Sequence, residues 1–263
     1  MSDFERTGTL AVAALIFFPG IYLWAPALIF FTNRMAAKPR ANRFDADRNS
    51  LPQQAANYFA RVSGAIAQEG FEEVGLYFLP NTASNVEALA LLMKNARTDE
   101  LAMAAAIYAT VDGATQLKST YVEFVSRYSD GRVFDTNNAF VLSCFAKIDG
   151  FDTVQFPRVQ DLHRLYSLHT ERCRRAAPHG QRVNRLIHEF DGDGSRYLSA
   201  TMAESFARQA GVGYLQLDGE QYRPTVKGAC LMTWKLLWPV KQLRTLKRDQ
   251  RAKRLMSELL PVA

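Results

Sequence analysis

Cysteine and histidine are scarce in this chain, at three and four of 263 residues, and so are the motifs in which they do chemistry. Cys144, Cys173 and Cys230 form no Cys-x-x-Cys pair, a pattern that suits a reducing cytoplasm rather than a disulfide scaffold. His169 and Cys173 stand four apart on a predicted helix that also carries His163, so they share a face. Two side chains do not complete a zinc site, however. No His-Glu-x-x-His accompanies them, and Arg172, Arg174 and Arg175 would repel a cation there. Gly211-Val-Gly213 lacks the third glycine of a dinucleotide loop, and neither Gly-x-x-x-x-Gly-Lys nor Gly-x-Ser-x-Gly occurs. Asp191 to Ser199 places oxygens like a calcium loop but has Arg196 where the turn needs glycine and Met202 where the bidentate glutamate belongs. The acidic pairs Glu72-Glu73 and Asp99-Glu100 read as solvated charges at element edges. The sequence therefore predicts no catalytic, cofactor-binding or metal-ligating residues, and an enzyme built from dispersed residues stays open.

What the chain does have is an uncharged apolar run from Leu10 to Phe31, long enough as a helix, at about 33 Å, to cross a ~30 Å hydrocarbon core. Pro19, Gly20 and Pro26 inside it are tolerable in lipid as a kink. Asp3, Glu5 and Arg6 precede the run, whereas Arg34, Lys38, Arg40, Arg43 and Arg48 follow it, so the positive-inside rule puts the N-terminus outside and the remainder in the cytoplasm. The order of charge and apolar segment is the reverse of a cleaved signal peptide.

The net charge of +6 sits at the margins. Lys241, Arg244, Lys247, Arg248, Arg251, Lys253 and Arg254 face only Asp249 and Glu258 in the tail, and the stretch from Asn49 to Trp238 is close to neutral. Such a core advertises no nucleic-acid surface, and nucleic acid is not an expected partner. Basic flanks beside Trp234 and Trp238 suit anionic headgroups instead. The membrane-contact candidates are thus Arg34, Lys38, Arg40, Arg43, Trp234, Trp238, Lys241, Arg244, Lys247, Arg248 and Arg251.

Between these margins the spacing of Phe59, Val62 and Ile66 predicts a helix over 52–69, followed by a strand over 71–79. Segments 86–93 and 101–109 have helical propensity. Leu101 to Ala109 nonetheless offers no polar face, which favours a strand buried on both sides. Ser129-Asp130-Gly131 joins two alternating segments as a hairpin. A helix follows over 159–176. A capping box at Thr201 to Glu204 opens another helix, which ends at Gly211 or Gly213. A short hairpin and a long basic helix come after it. The helix and hairpin, with Tyr222-Arg-Pro-Thr-Val-Lys-Gly228, faintly resemble the recognition helix and wing of winged-helix domains. Pro224 departs from that pattern and Arg208 is the helix's single cation. Nucleic-acid binding on that resemblance would require Arg208 and the basic tail to form one positive face.

The expected architecture is α+β. It comprises a tail (1–9), a transmembrane helix (10–33), a basic linker (34–50), a mainly antiparallel sheet flanked by helices (51–178), and a helix-hairpin-helix unit (179–263). The expected function is that of a single-pass, membrane-anchored cytoplasmic binding or scaffold module. A membrane-tethered enzyme is the alternative, to be favoured if the fold gathers histidines or several carboxylates in one cleft.

Overall fold

The computed structural model describes residues 20–45, 50–83 and 85–260. Its frame is a seven-stranded sheet of β2 (Asn42–Arg43), β3 (Glu72–Ala83), β4 (Val86–Asn95), β5 (Glu100–Val111), β6 (Ala114–Arg127), β7 (Val133–Asn137) and β8 (Phe151–Gln155), in that spatial order. Every neighbouring pair is antiparallel except β7 and β8, which run parallel. The segments with helical propensity are strands: Ala90, Leu92, Ala102, Ala104 and Ala106 are all buried, and burial on both faces overrides propensity.

Strand alternation divides the sheet into two faces. Leu89, Leu91, Ala104, Val122 and Phe124 point to one side. There they meet Phe59, Val62 and Ile66 of α2 (Gln53–Ala67), Leu165 and Leu168 of α3 (Leu162–Ala176), and Ala252 and Leu259 of α7 (Val240–Leu259). Each large side chain buried in this layer contributes about 1.5–3 kcal/mol. Ala88, Ala90, Leu92 and Leu101 point to the other side, against Leu186 of α4 (Arg185–His188) and Tyr197 and Leu198 of α5 (Gly194–Gly211). A small second sheet joins β1 (Met35–Ala36), β10 (Gln221–Pro224) and β9 (Leu215–Asp218), and α6 (Val226–Trp234) follows it.

The N-terminal expectation is overturned. Among the described residues no helix is long and apolar enough to cross a membrane. What is described of the apolar run is a helix over residues 20–32 (α1). Pro26 lies inside it, and Arg34 closes its end by donating to the carbonyls of Phe30 (3.2 Å) and Asn33 (2.9 Å). Residues 10–19 of the run lie outside the described residues. With the span go the single-pass topology, the N-terminus-outside orientation, the cytoplasmic placement that rested on it, the bilayer as partner, and the membrane-anchored module as function. Instead, the Trp234 indole donates to the Tyr22 carbonyl (2.9 Å) and the Arg223 guanidinium lies 5.9 Å from the centre of the Phe30 ring, which ties α1 to α6 and β10.

Two local readings also change. Helix α5 begins at Gly194, capped by the Asp193 side chain, which accepts from the Arg196 amide (3.1 Å), so Thr201 to Glu204 lies within the helix. Glu204 is held there by Arg185 at 2.7 Å. Glu100 is not a solvated edge charge but is fully buried.

Candidate functional site

Two polar assemblies lie on opposite faces of the sheet, and their exposure separates their roles. On the α3 face, Glu100 accepts hydrogen bonds from Ser126 Oγ (2.9 Å), Thr98 Oγ1 (2.8 Å) and Tyr166 OH (2.6 Å), and pairs with Arg182 at 3.2 Å. With Ser126 donating to Glu100, His169 Nε2–H must donate to Ser126 Oγ (2.9 Å). His169 Nδ1 then accepts from Thr136 Oγ1 (2.9 Å), which in turn accepts from Arg172 (2.5 Å). Burial, followed by Arg172 and Arg182, holds the His169 pKa well below its ordinary value, so the ring is neutral. The shared face of His169 and Cys173 is real, with Sγ 3.8 Å from Nε2. Yet Glu100, Ser126 and His169 have no exposed surface, so this serine-histidine-glutamate chain is an internal strut rather than a reaction centre. His163 lies apart from it, 2.6 Å from Glu69 at the end of α2. No group of three or more histidines, cysteines and carboxylates that could hold a metal occurs among the described residues.

On the α5 face the sheet is covered incompletely. Between β4–β8 and α5 lies a cavity of about 400 Å³. Ala90, Ala105, Met103 and Ile107 form its apolar wall, and Tyr197, Leu198, Thr201, Met202, Ser205 and Arg208, on one face of α5, form its roof. The small side chains of Ala90 and Ala105 leave the space. At the β6–β7 end the lining turns polar, because Tyr121, Glu123 and Arg127 alternate along β6 and Asp135 occupies the same face of β7. Register sets Asp135 opposite Val125 and Glu123 opposite Asn137, which makes the two carboxylates diagonal neighbours.

Their environment separates them from ordinary carboxylates. Burial and then the nearby Asp135 raise the Glu123 pKa well above its usual value, against a smaller opposing pull from Arg127. Burial pushes Asp135 up to about 6, although it accepts from Asn137 Nδ2 (3.1 Å) and Thr153 Oγ1 (3.1 Å). Arg127 Nε and Thr201 Oγ1, both in the lining, are buried without a hydrogen-bond partner. The Phe151 ring is flanked by two guanidiniums, Arg208 at 4.4 Å and Arg127 at 5.9 Å from its centre.

Linkage gives this pair a pH signature. The folded state holds protons that the unfolded chain releases near pH 4, so the stability the two acids contribute is present at low pH and lost as pH rises through their folded values. His169 runs the opposite way, since its neutral form must be protonated to unfold below about pH 6.5. Glu123→Gln leaves His169 untouched. Urea melts should show the variant about 1–2 kcal/mol more stable than the parent at pH 8 and equal to it near pH 4, because glutamine stays neutral at every pH while the unfolded glutamate gains stability by ionising as pH rises. An equal difference at both pH values would remove the assignment.

Beyond Phe151 a second cleft, of about 560 Å³, opens between the 142–155 segment, α5 and α7, and shares Phe151, Thr153, Ser205 and Arg208 with the cavity. The structure brings four of the predicted contact residues here. Arg244, Lys247, Arg248 and Arg251 lie at i, i+3, i+4 and i+7 on α7, and that face lines the cleft. Lys147, Lys235 and Arg208 join them. The remaining candidates are dispersed. Arg34 caps α1, Arg43 sits on β2 opposite Tyr77, Lys38 and Arg40 line a groove beside Glu220, Trp234 is bonded to α1, and Trp238 and Lys241 are exposed.

Glu123, Asp135, Arg127 and Phe151 were not singled out by the sequence. Their signal was the polar alternation of Tyr121, Glu123 and Arg127 within a strand, which reads as a solvent face until α5 is seen to cover it. Comparison with protein-family models, with curated proteins and with solved structures finds no match for this chain.

Proposed function

We propose that the chain binds a small organic molecule with an apolar body in the cavity beneath α5, and that Glu123, Asp135 and Arg127 meet the polar end of that molecule. The observation that carries this reading is one partly open cavity with an apolar wall, three convergent ionisable side chains at one end, and raised pKa values on both acids. A carboxyl that keeps its proton can donate a hydrogen bond, its neighbour can accept one, and unpartnered Arg127 Nε and Thr201 Oγ1 offer further bonds. The unequal carboxyl pair favours a second reading, in which the same pair moves a proton on the bound molecule. Glu123→Gln separates the two, since it would keep a ligand bound but stop turnover.

The test of the cavity uses the neutral fluorophore N-phenyl-1-naphthylamine, which brightens in apolar surroundings. One molecule should bind per chain with a micromolar Kd. Ala105→Phe, filling from β5, and Met202→Phe, filling from α5, should each weaken it at least tenfold while the protein stays folded by circular dichroism. Unchanged binding in both variants would reject the cavity as the site.

A further inference from the structure

We infer that the basic cleft is the anion subsite of the same ligand, and that the ligand is an amphipathic organic phosphate with its apolar body under α5 and its phosphate against α7. This rests on the cavity reading above and names the chemical class it takes.

The first argument is charge. Lys147, Arg208, Lys235, Arg244, Lys247, Arg248 and Arg251 line the cleft and no carboxylate does. Asp249, Asp152 and Glu204 pair with Arg248 (2.8 Å), Arg251 (2.9 Å) and Arg208 (3.5 Å) from outside the lining, which leaves Lys147, Lys235, Arg244 and Lys247 with no carboxylate partner among the described residues. A cleft of one sign with low-dielectric walls concentrates its field on an anion.

The second argument is how the cations are held. Lys235 donates to the Phe145 carbonyl (2.9 Å) and the Tyr214 hydroxyl (2.8 Å). Arg244 donates to the carbonyls of Ser143 (2.8 Å) and Lys235 (3.2 Å), and Arg248 to that of Phe140 (2.8 Å). Neutral oxygens fix Lys235 and Arg244 without cancelling their charge, and Arg248 is held both by the Phe140 carbonyl and by Asp249, so the cleft is organised before any ligand arrives. Lys147 and Lys247 extend from its rim, exposed.

The third argument is continuity. The cleft and the cavity share four lining residues, and Phe151, between Arg127 and Arg208, stands at their junction. A phosphate monoester carries about two negative charges at neutral pH and suits several converging Arg and Lys donors. The space is of small-ligand size, which favours this ligand over a nucleic-acid strand even though Arg208 and the basic tail do share one face.

Titration calorimetry on the full chain at low and moderate salt, with n-octyl phosphate, n-octanol, inorganic phosphate and a single-stranded oligonucleotide, decides it. Octyl phosphate should bind one per chain, at least tenfold tighter than either octanol or inorganic phosphate, and weaken as salt rises. The double variant Lys147→Ala, Lys247→Ala, which removes no described hydrogen bond, should keep the parent's Tm and lose about tenfold for octyl phosphate. Inorganic phosphate binding as tightly as octyl phosphate would overturn the amphipathic assignment. Octyl phosphate no tighter than octanol, an unchanged double variant, or preference for the oligonucleotide would overturn the subsite. If N-phenyl-1-naphthylamine binds and octyl phosphate does not, the cavity stands and this inference alone fails; if the fluorophore fails as well, the cavity reading falls first.

Discussion

Glu100→Ala should cost about 3–5 kcal/mol, a large share of the 5–15 kcal/mol that holds a typical domain folded. Glu100 is the common acceptor for Ser126, Thr98 and Tyr166 and the partner of Arg182, all at 2.6–3.2 Å and with no exposed surface of its own. Truncation strands three hydroxyl donors and leaves a guanidinium facing a void. Each unsatisfied group carries its own desolvation cost of about 1–3 kcal/mol. Glu100→Gln keeps the shape and some of the hydrogen bonds but loses the charge opposite Arg182, so its cost should be smaller. Urea denaturation followed by circular dichroism measures both. A loss under about 1 kcal/mol for the alanine variant would mean that the strut does not stabilise the fold. Because Glu100 lies on the face of the sheet opposite the cavity and has no exposed surface, ligand binding by the residual folded fraction should be unchanged, which separates this assembly from the cavity.

Gly228→Ala should be nearly as damaging, at about 3 kcal/mol or more, and for a different reason. A Cβ at Gly228 would stand 1.8 Å from the Tyr214 carbonyl oxygen and 2.7 Å from its carbon. Those are backbone atoms that cannot rotate aside, so the clash exceeds ordinary overpacking of about 1–3 kcal/mol. The same spot docks α6 on the turn before β9. The Thr225 hydroxyl donates to the Gly213 carbonyl (2.7 Å) and accepts from the Gly228 amide (2.9 Å), and the Thr225 amide donates to the Tyr214 carbonyl (3.0 Å). Separating α6 from this turn would also withdraw Lys235, just past its end, from the Tyr214 hydroxyl and the basic cleft. Gly64→Ala is the control. It lies exposed in α2 with nothing within 4 Å of a new Cβ, and it should stabilise by about 0.5–1 kcal/mol through helix propensity alone. Thermal and urea melts of the two variants should move in opposite directions. A Gly228→Ala protein as stable as the parent would mean that the α6 packing yields at no cost.

The fold was legible wherever a local rule had one outcome. Asp130-Gly131 demanded a turn, and Gly131 has φ of +86° with β6 and β7 on either side. The unbroken apolar content of 101–109 demanded burial but left helix and strand both open; it is the strand β5, buried at Leu101, Ala102 and Ala104 to Ala106. The face of α2 was legible at Phe59, Val62 and Ile66, and Ala55 completes it. The span expected from the N-terminal apolar run is not found: among the described residues no helix is long and apolar enough to cross a membrane.

The candidate site was legible only in fragments. Spacing alone put Arg244, Lys247, Arg248 and Arg251 on one face of a helix, and a face of cations next to tryptophans suits a headgroup surface as well as it suits a cleft. The sequence by itself determined the strand alternation, the amphipathic helices and the placement of positive charge near the tail, because those follow from residue periods of two and 3.6. Tertiary structure alone decided that β8 pairs parallel to β7, that α5 roofs the face bearing Glu123 and Asp135, and that the basic face of α7 turns toward Arg208. These outcomes depend on which layers cover which face. A strand or helix states that it has a polar side, but only the elements packed against it determine whether that side meets water, another charge or a cavity.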